Sequence, residues 1–386
     1  MTEIIKTESA ETTATSITEE TIEHDGAAAA IERDALIEKM MAAVGGAFEI
    51  FTIYIGNRLG LYDAMADAAG LTSTELADRA GAHERYIREW LEQQTVVGVL
   101  ACDNPDDGPL ERRFRLPAGH AEVLVEKDSL NYLAPLSQAF VGAVSPIEEL
   151  LEAFRHGGGV PYQAYGANLR EGQAGFNRAM FLQQLGSEWI PAMPDVHDRL
   201  RNGRDARVAD IGCGAAWSSI GIAQAYPTVR VDGFDLDAPS VELAQDNVRA
   251  AGLADRVDVQ VRDAGDPDLA GRYDLVTAFE CLHDMSDPVS ALRTMRRLAG
   301  DTGTVLVVDE RVGEHFAPDG NDMDWMMYGW SVLHCLPVGM ADQPAAGTGT
   351  VMRPDTVRQY AREAGFREVE ILPIDNDFFR FYRLHV

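Results

Sequence analysis

The stretch VADIGCGAAW, Val208 to Trp217, decides how the second half of this chain folds. It reads as a strand ending at Asp210, followed by glycines at 212 and 214 that let the backbone turn tightly against a ligand. A dinucleotide-binding loop carries GxGxxG, and the last glycine would have to stand where the chain has Trp217. A pyrophosphate ligand is therefore disfavoured. An acidic residue two positions before GxG instead suits a cationic or amino-acid-bearing nucleoside.

Outward from this loop the pattern alternates between short apolar runs and helical spacers. The runs are RVADIG from Arg207, VRVDGFDLD from Val229, RVDVQVRDA from Arg256, YDLVTAFE from Tyr273 and GTVLVVDE from Gly303. Spacers such as APSVELAQDNVRAAG and DPVSALRTMRRLAG separate them. This alternation predicts an α/β fold, a doubly wound parallel sheet. REVEILPI and FFRFYRLHV close the chain as two strands with a short connection, an expected antiparallel edge. GFDLD puts Asp235 at the end of the second strand, where a carboxylate can accept from both ribose hydroxyls. VRDAGD ends the third with Asp263, placed to accept from an adenine amino group. One aspartate alone would read as a helix cap; three at matched strand ends beside GxG point to a nucleoside site.

Residues 206–386 thus resemble a class I S-adenosylmethionine-dependent methyltransferase domain, Rossmann-like with an antiparallel C-terminal edge. The family pattern is an acidic residue followed by GxGxG, and this chain has Ala216 at the third glycine. The resemblance implies S-adenosylmethionine as cofactor, contacted through Asp210, Gly212, Gly214, Asp235 and Asp263, with Leu236, Ala264 and Phe279 completing the cofactor-binding set. A narrower resemblance is to small-molecule O-methyltransferases with an N-terminal winged-helix dimerisation domain. Their Leu-His-Asp-Trp motif reads Leu282-His283-Asp284-Met285 here. It implies His283 as general base for a substrate hydroxyl and Glu310 as the carboxylate that holds the imidazole. The chemistry needs such a pair, because a neutral hydroxyl is a poor nucleophile and a positioned base contributes about 10²–10⁴-fold. From about residue 40 onward the chain is similar to a bacterial and archaeal group in which GGGVPY (157–162), VLHCLPVGM (332–340), GTGTVMR (347–353) and FRFYRL (379–384) recur. That resemblance brings no substrate with it.

The first half reads differently. Helical periodicity begins near Ala35, with an apolar face too broad for a solitary surface helix, so a partner helix, from this chain or from a second subunit, is expected. LTSTELADRAGAHERYIREWLEQQ follows as helix, turn, helix, with Thr72 or Ser73 as cap, Glu75 in the first turn and Gly81 as the break. VLACDNPDDGPLERRFRLP looks like a wing. The expected organisation is a disordered acidic tail (1–34), a winged-helix dimerisation domain (35–129), a helical, pocket-framing region (130–202) and the methyltransferase domain (203–386). In the third segment HGGGVPYQAYG marks either a loop framing a pocket or a connector. Tyr162, Trp330 and His334 are the substrate-pocket candidates, although a Met/Trp-rich segment such as WMMYGWSVLHCLP is more often core. His334 as a second base, or as a metal ligand with His283, is the less favoured reading, and no metal site is expected.

Composition narrows the partners. The net charge of −29 repels nucleic acid and anionic lipid. Lys6, Lys39 and Lys127 are the only lysines, and such an acidic, lysine-poor chain fits a high-salt cytoplasm. Cys102, Cys213, Cys281 and Cys335 show no CxxC spacing. No apolar run is long enough for a membrane span, and the N-terminus has neither the basic start nor the apolar centre of a signal peptide. A cytoplasmic homodimer acting on a small-molecule acceptor is expected. The alternative is a winged-helix transcriptional regulator that binds S-adenosylmethionine without turnover. Its candidate recognition helix offers Arg85 and Arg88 against Glu84, Glu89 and Glu92, without the basic excess that phosphate contact asks for. Nucleic acid is not expected as a partner.

Overall fold

Runs of Val, Ile, Leu and Phe bounded by Gly, Pro or Asp become the strands of one sheet, because side chains alternating along them have apolar partners on both faces. In this computed structural model, which describes the backbone of residues 9–386 and the side chains of residues 28–386, the seven strands are β3 (Arg207–Ile211), β4 (Arg230–Asp235), β5 (Val257–Val261), β6 (Leu275–Phe279), β7 (Thr304–Glu310), β8 (Glu368–Ile371) and β9 (Phe379–His385), in the order β5-β4-β3-β6-β7-β9-β8. The first five are mutually parallel; β9 runs antiparallel to β7 and β8. Register brings Ile211 opposite Phe234 on one side and Ala278 on the other, while Phe279 lies opposite Val308. The doubly wound sheet with an antiparallel edge is the one expected from the sequence.

Alternation along the strands divides the core. Val208, Val231, Leu306, Phe379 and Phe381 join Trp189 on one face. Ala209, Ile211, Val276, Val305 and Val307 meet Leu292 and Met295 on the other. Nearly every one of these side chains is fully buried, so each contributes about 1.5–3 kcal/mol if large.

The N-terminal domain has its own core of Leu61, Tyr62, Leu76, Leu91 and Phe114. Its helices Ser73–Ala80 and Glu84–Val96 are joined at Gly81, whose φ of 63° is left-handed. Thr72 is the cap: its hydroxyl accepts from the Glu75 N–H at 3.2 Å while the Glu75 carboxylate accepts from the Thr72 N–H at 2.8 Å. The wing is a short hairpin of β1 (Ala101–Cys102) and β2 (Phe114–Arg115). Between the two domains lie the helices Ala134–Val144, Ile147–His156 and Gly166–Gln183.

The tail differs from its expectation. Residues 1–8 lie outside the described residues, but from Ser9 the chain is one helix, Ser9–Arg58, instead of becoming helical near Ala35. Ala27–Ala30 and neighbouring glutamates are good helix formers and no proline interrupts them. Low hydrophobicity argued against a packed core there, which is a different matter from helix propensity. Among the described residues no helix is long and apolar enough to cross a membrane.

Candidate active site

The sheet order reverses between β3 and β6, and ligands of open α/β sheets bind beyond the carboxyl ends at such a switch point. Gly212 and Gly214 take φ of 65° and 50° in the turn after β3. A Cβ on Gly212 would lie 2.7 Å from the Cys281 sulfur, so only glycine fits there. Ala216 takes φ 63° as well, which explains a glycine in the family pattern and shows that alanine tolerates the geometry here.

Asp235, half-buried at the end of β4, accepts from the N–H of Gly214 at 2.8 Å and of Asp237 at 2.9 Å. Burial pushes its carboxyl above the usual range, against those two hydrogen bonds. A carboxylate has about four lone-pair sites, so two remain for a ligand. Asp263 is exposed and accepts from the Gly265 N–H at 2.7 Å; Ala264 beside it is half-buried, and Leu236 is exposed.

Two expected ligand contacts are placed elsewhere. Asp210 is buried inside β3, and its oxygens already accept from Ser218 (2.6 Å), Ser219 (2.7 Å) and Thr277 (2.8 Å). It ties the glycine loop to the next helix and to β6, and no further donor reaches it. The Phe279 ring turns into the aromatic core, 5.3 Å from Phe181 and 6.3 Å from Trp189 between centroids. Alternation explains this: the residue that ends a strand points to one face of the sheet, and here it is the core face.

The residue that continues toward the site is Glu280, whose φ of 51° is strained for a side chain of its size. Burial raises its carboxyl to about 8, so it holds a proton at neutral pH. The tight turn Leu282–Asp284 follows and presents His283, which is almost wholly buried. Its Nδ1 lies 2.8 Å from Asp309 Oδ1 and 3.4 Å from Glu310 Oε2; its Nε2 lies 3.1 Å from Asp284 Oδ1. Glu310 does flank the imidazole as expected, yet Asp309 is the hydrogen-bonding partner. Burial would lower the His283 pKa, but these carboxylates outweigh it and hold it well above the ordinary value. Burial likewise pushes Glu310 well up. Among the described residues no lysine or arginine pairs with Asp284, Asp309 or Glu310.

The three substrate-pocket candidates come together over this turn. His334 is fully buried, its ring edge-on to Tyr165 (4.7 Å) and Tyr162 (5.8 Å), and Trp330 packs in the same cluster as Tyr162. Burial lowers the His334 pKa despite nearby Asp284, which favours the neutral ring. The glycine-rich loop is a packed strap: the Val160 N–H donates to the Pro337 carbonyl at 3.0 Å, and a Cβ on Gly159 would lie 2.1 Å from that oxygen. The Gly349 N–H donates to the His283 carbonyl at 3.2 Å. GGGVPY, VLHCLPVGM and GTGTVMR are therefore neighbours around one turn.

Sequence reasoning passed over Asp309 and Arg170. Two consecutive carboxylates ending the apolar run VLVV were the visible signal for Asp309. Arg170 donates to Asp237 at 2.8 Å in a nearly buried pair that fastens the helix Gly166–Gln183 to the Asp235 loop. Nothing local in the sequence announces it.

Comparison with known proteins agrees with this architecture. Residues 183–371 match the family described as "Methyltransferase domain", and residues 47–126 match the "Rv2258c-like winged HTH domain". The mitomycin biosynthesis 6-O-methyltransferase of Streptomyces lavendulae is 27% identical over 304 residues, covering 77% of this chain and 83% of the relative. Other curated relatives match in part: the chain spans 5% of the polyketide synthase ThaQ of Burkholderia thailandensis, at 29% identity over 28% of this chain. It spans 34% of the norajmaline N-methyltransferase of Rauvolfia serpentina, at 31% identity over 26% of this chain. Among solved structures, the mitomycin 7-O-methyltransferase MmcR aligns at TM-score 0.66 and 21% identity, over 92% of this chain and 98% of that one. At that identity the likeness is one of fold.

Proposed function

We propose that this chain, which carries a methyltransferase domain behind a winged helix-turn-helix domain, transfers a methyl group from S-adenosylmethionine to a hydroxyl of a small molecule. The observation that carries the reading is the meeting of a glycine loop, Asp235 and the His283–Asp309 pair at the switch point of the sheet.

The residues fit that cofactor. Gly212 and Gly214 clear the backbone of side chains, Asp235 keeps two lone pairs for ribose hydroxyls, and Asp263 lies open at the end of β5. When bound, the cofactor supplies an electrophilic methyl on a sulfonium. His283 then removes the acceptor proton at Nε2, after Asp284 gives up that contact. Asp309 holds the Nδ1 proton, fixing the tautomer, and together with Glu310 offsets the imidazolium charge. Tyr162, Trp330 and His334 form an aromatic wall for the acceptor, which favours a flat, largely apolar molecule. The relative from Streptomyces lavendulae is named a mitomycin biosynthesis 6-O-methyltransferase, which supports oxygen as acceptor atom.

The regulator alternative draws little support from the winged helix. Arg85 pairs with Glu89, Arg88 with Glu84, Arg112 with Glu92, Arg113 with Glu75 and Arg115 with Asp103. These five cations are already offset. We read the domain as a dimerisation scaffold instead. Leu36, Met40, Met41, Val44 and Phe48 form an exposed apolar stripe on the first helix, too long to stay in water, and a second copy is the partner that covers it by symmetry. The test is turnover of a panel of hydroxylated aromatic compounds with S-adenosylmethionine, by wild type and His283→Ala. Methylation of none of them, under conditions where the cofactor binds, contradicts the reading.

A further inference from the structure

We propose that His283, Asp284 and Cys335 form a binding site for one soft divalent transition-metal ion of the zinc or cobalt kind. One donor atom from each residue lies within 4.8 Å of the others, and His283 Nε2 is 3.1 Å from Asp284 Oδ1. The donors come from two compact turns: the 3₁₀ turn Leu282–Asp284 and the π turn Ser331–Cys335. The π turn lies within a helix running from Asp322 to Gly339, and such π-bulges are rare and frequent at functional sites.

Independent contacts orient two of the three donors. His283 Nδ1 is engaged by Asp309 Oδ1 at 2.8 Å, which leaves Nε2 as the lone pair, the carboxylate–histidine–metal arrangement. The Cys335 sulfur lies 3.4 Å from His334 Nδ1, whose N–H would donate to a thiolate. The third donor, Asp284 Oδ1, is itself buried and accepts no hydrogen bond. Asp284, Asp309 and Glu310 surround one imidazole, and among the described residues no lysine or arginine pairs with them, a setting that favours a cation beside these oxygens. Magnesium and calcium take oxygen donors, whereas one nitrogen, one oxygen and one sulfur suit zinc or cobalt. Three protein ligands leave a tetrahedral ion one open position. Binding releases to solvent the Cys335 thiol proton and, from the imidazolium, the His283 Nε2 proton, and leaves His283 neutral with its proton at Nδ1.

The site does not depend on the methyltransferase reading, but its consequence does. An ion on Nε2 occupies the atom that the base needs, so metal loading and methyl transfer exclude each other.

The test is titration of the chelator-stripped, dialysed full chain with Co²⁺, followed by absorption and by metal retained after dialysis. One Co²⁺ per chain is expected, with a near-ultraviolet thiolate-to-cobalt band. Cys335→Ser should abolish the band and weaken retention about tenfold or more, while Cys102→Ser leaves both unchanged. Should Cys335→Ser misfold by circular dichroism, Asp284→Ala carries the test through the same tenfold loss. No retained Co²⁺, a band that survives Cys335→Ser, or unchanged retention in Asp284→Ala overturns the proposal. Loss of S-adenosylmethionine binding with cobalt binding intact would instead count against the function proposed above.

Discussion

His283 Nδ1 lies 2.8 Å from Asp309 Oδ1 and 3.4 Å from Glu310 Oε2, so two adjacent residues of β7 address the same imidazole nitrogen. Both side chains are buried, and the shorter contact belongs to Asp309, the residue within the strand that faces the turn. The hierarchy of the two carboxylates can be read kinetically. Asp309→Asn should reduce kcat by about a hundredfold, the loss expected when a base is misoriented, and Glu310→Gln should cost less. Steady-state rates of the two variants compare them directly.

The same geometry fixes a pH dependence. His283 must be deprotonated at Nε2 to act, and Asp309, Glu310 and Asp284 together hold its pKa well above the ordinary value, despite burial. In metal-free protein, activity should therefore rise with pH through a limb lying above about 6.5, the unperturbed imidazole value. Removing a charge that stabilises the imidazolium lowers its pKa, so Asp309→Asn should move the limb to lower pH. Neutral Glu280 and His334 and the thiol of Cys335 face the same ring and add no opposing charge near neutrality. A pH–kcat/KM profile that is unmoved in Asp309→Asn contradicts this assignment.

Gly159→Ala places a Cβ 2.1 Å from the Pro337 carbonyl and 2.4 Å from the Ala341 nitrogen, both backbone atoms. Overpacking of this kind costs about 1–3 kcal/mol. Because the displaced segment carries His334, KM for the acceptor should rise as well. Urea denaturation and steady-state kinetics measure the two effects separately.

Phe48→Glu, on the exposed stripe of the first helix, should shift the protein from dimer to monomer in analytical ultracentrifugation. The N-terminal core is built from other residues, so its melting should change little. A wild-type monomer at micromolar concentration contradicts the scaffold reading.

How far the sequence led depends on which interactions are local. The sheet was legible because strand alternation and glycine spacing are written within ten residues, and the Thr72 cap because it spans four. His283 stood out as a candidate through its motif. Asp210 and Phe279 were misplaced because the face on which a strand's side chain lies depends on neighbouring strands. Asp309 was hidden behind Glu310 for the same reason. The Arg170–Asp237 pair joins residues far apart in the chain, and only packing reveals it. Helix Ser9–Arg58 shows the converse: propensity extends a helix where composition predicts disorder.

The central claim is the cofactor site, and calorimetric titration with S-adenosylmethionine and S-adenosylhomocysteine at high salt, on wild type and Asp235→Ala, tests it most directly. Wild type should bind with micromolar affinity. Losing charge-assisted hydrogen bonds of about 1.5–3 kcal/mol should weaken it roughly ten- to a hundredfold in Asp235→Ala. No heat of binding to the folded wild-type protein, or equal affinity in the variant, would contradict it.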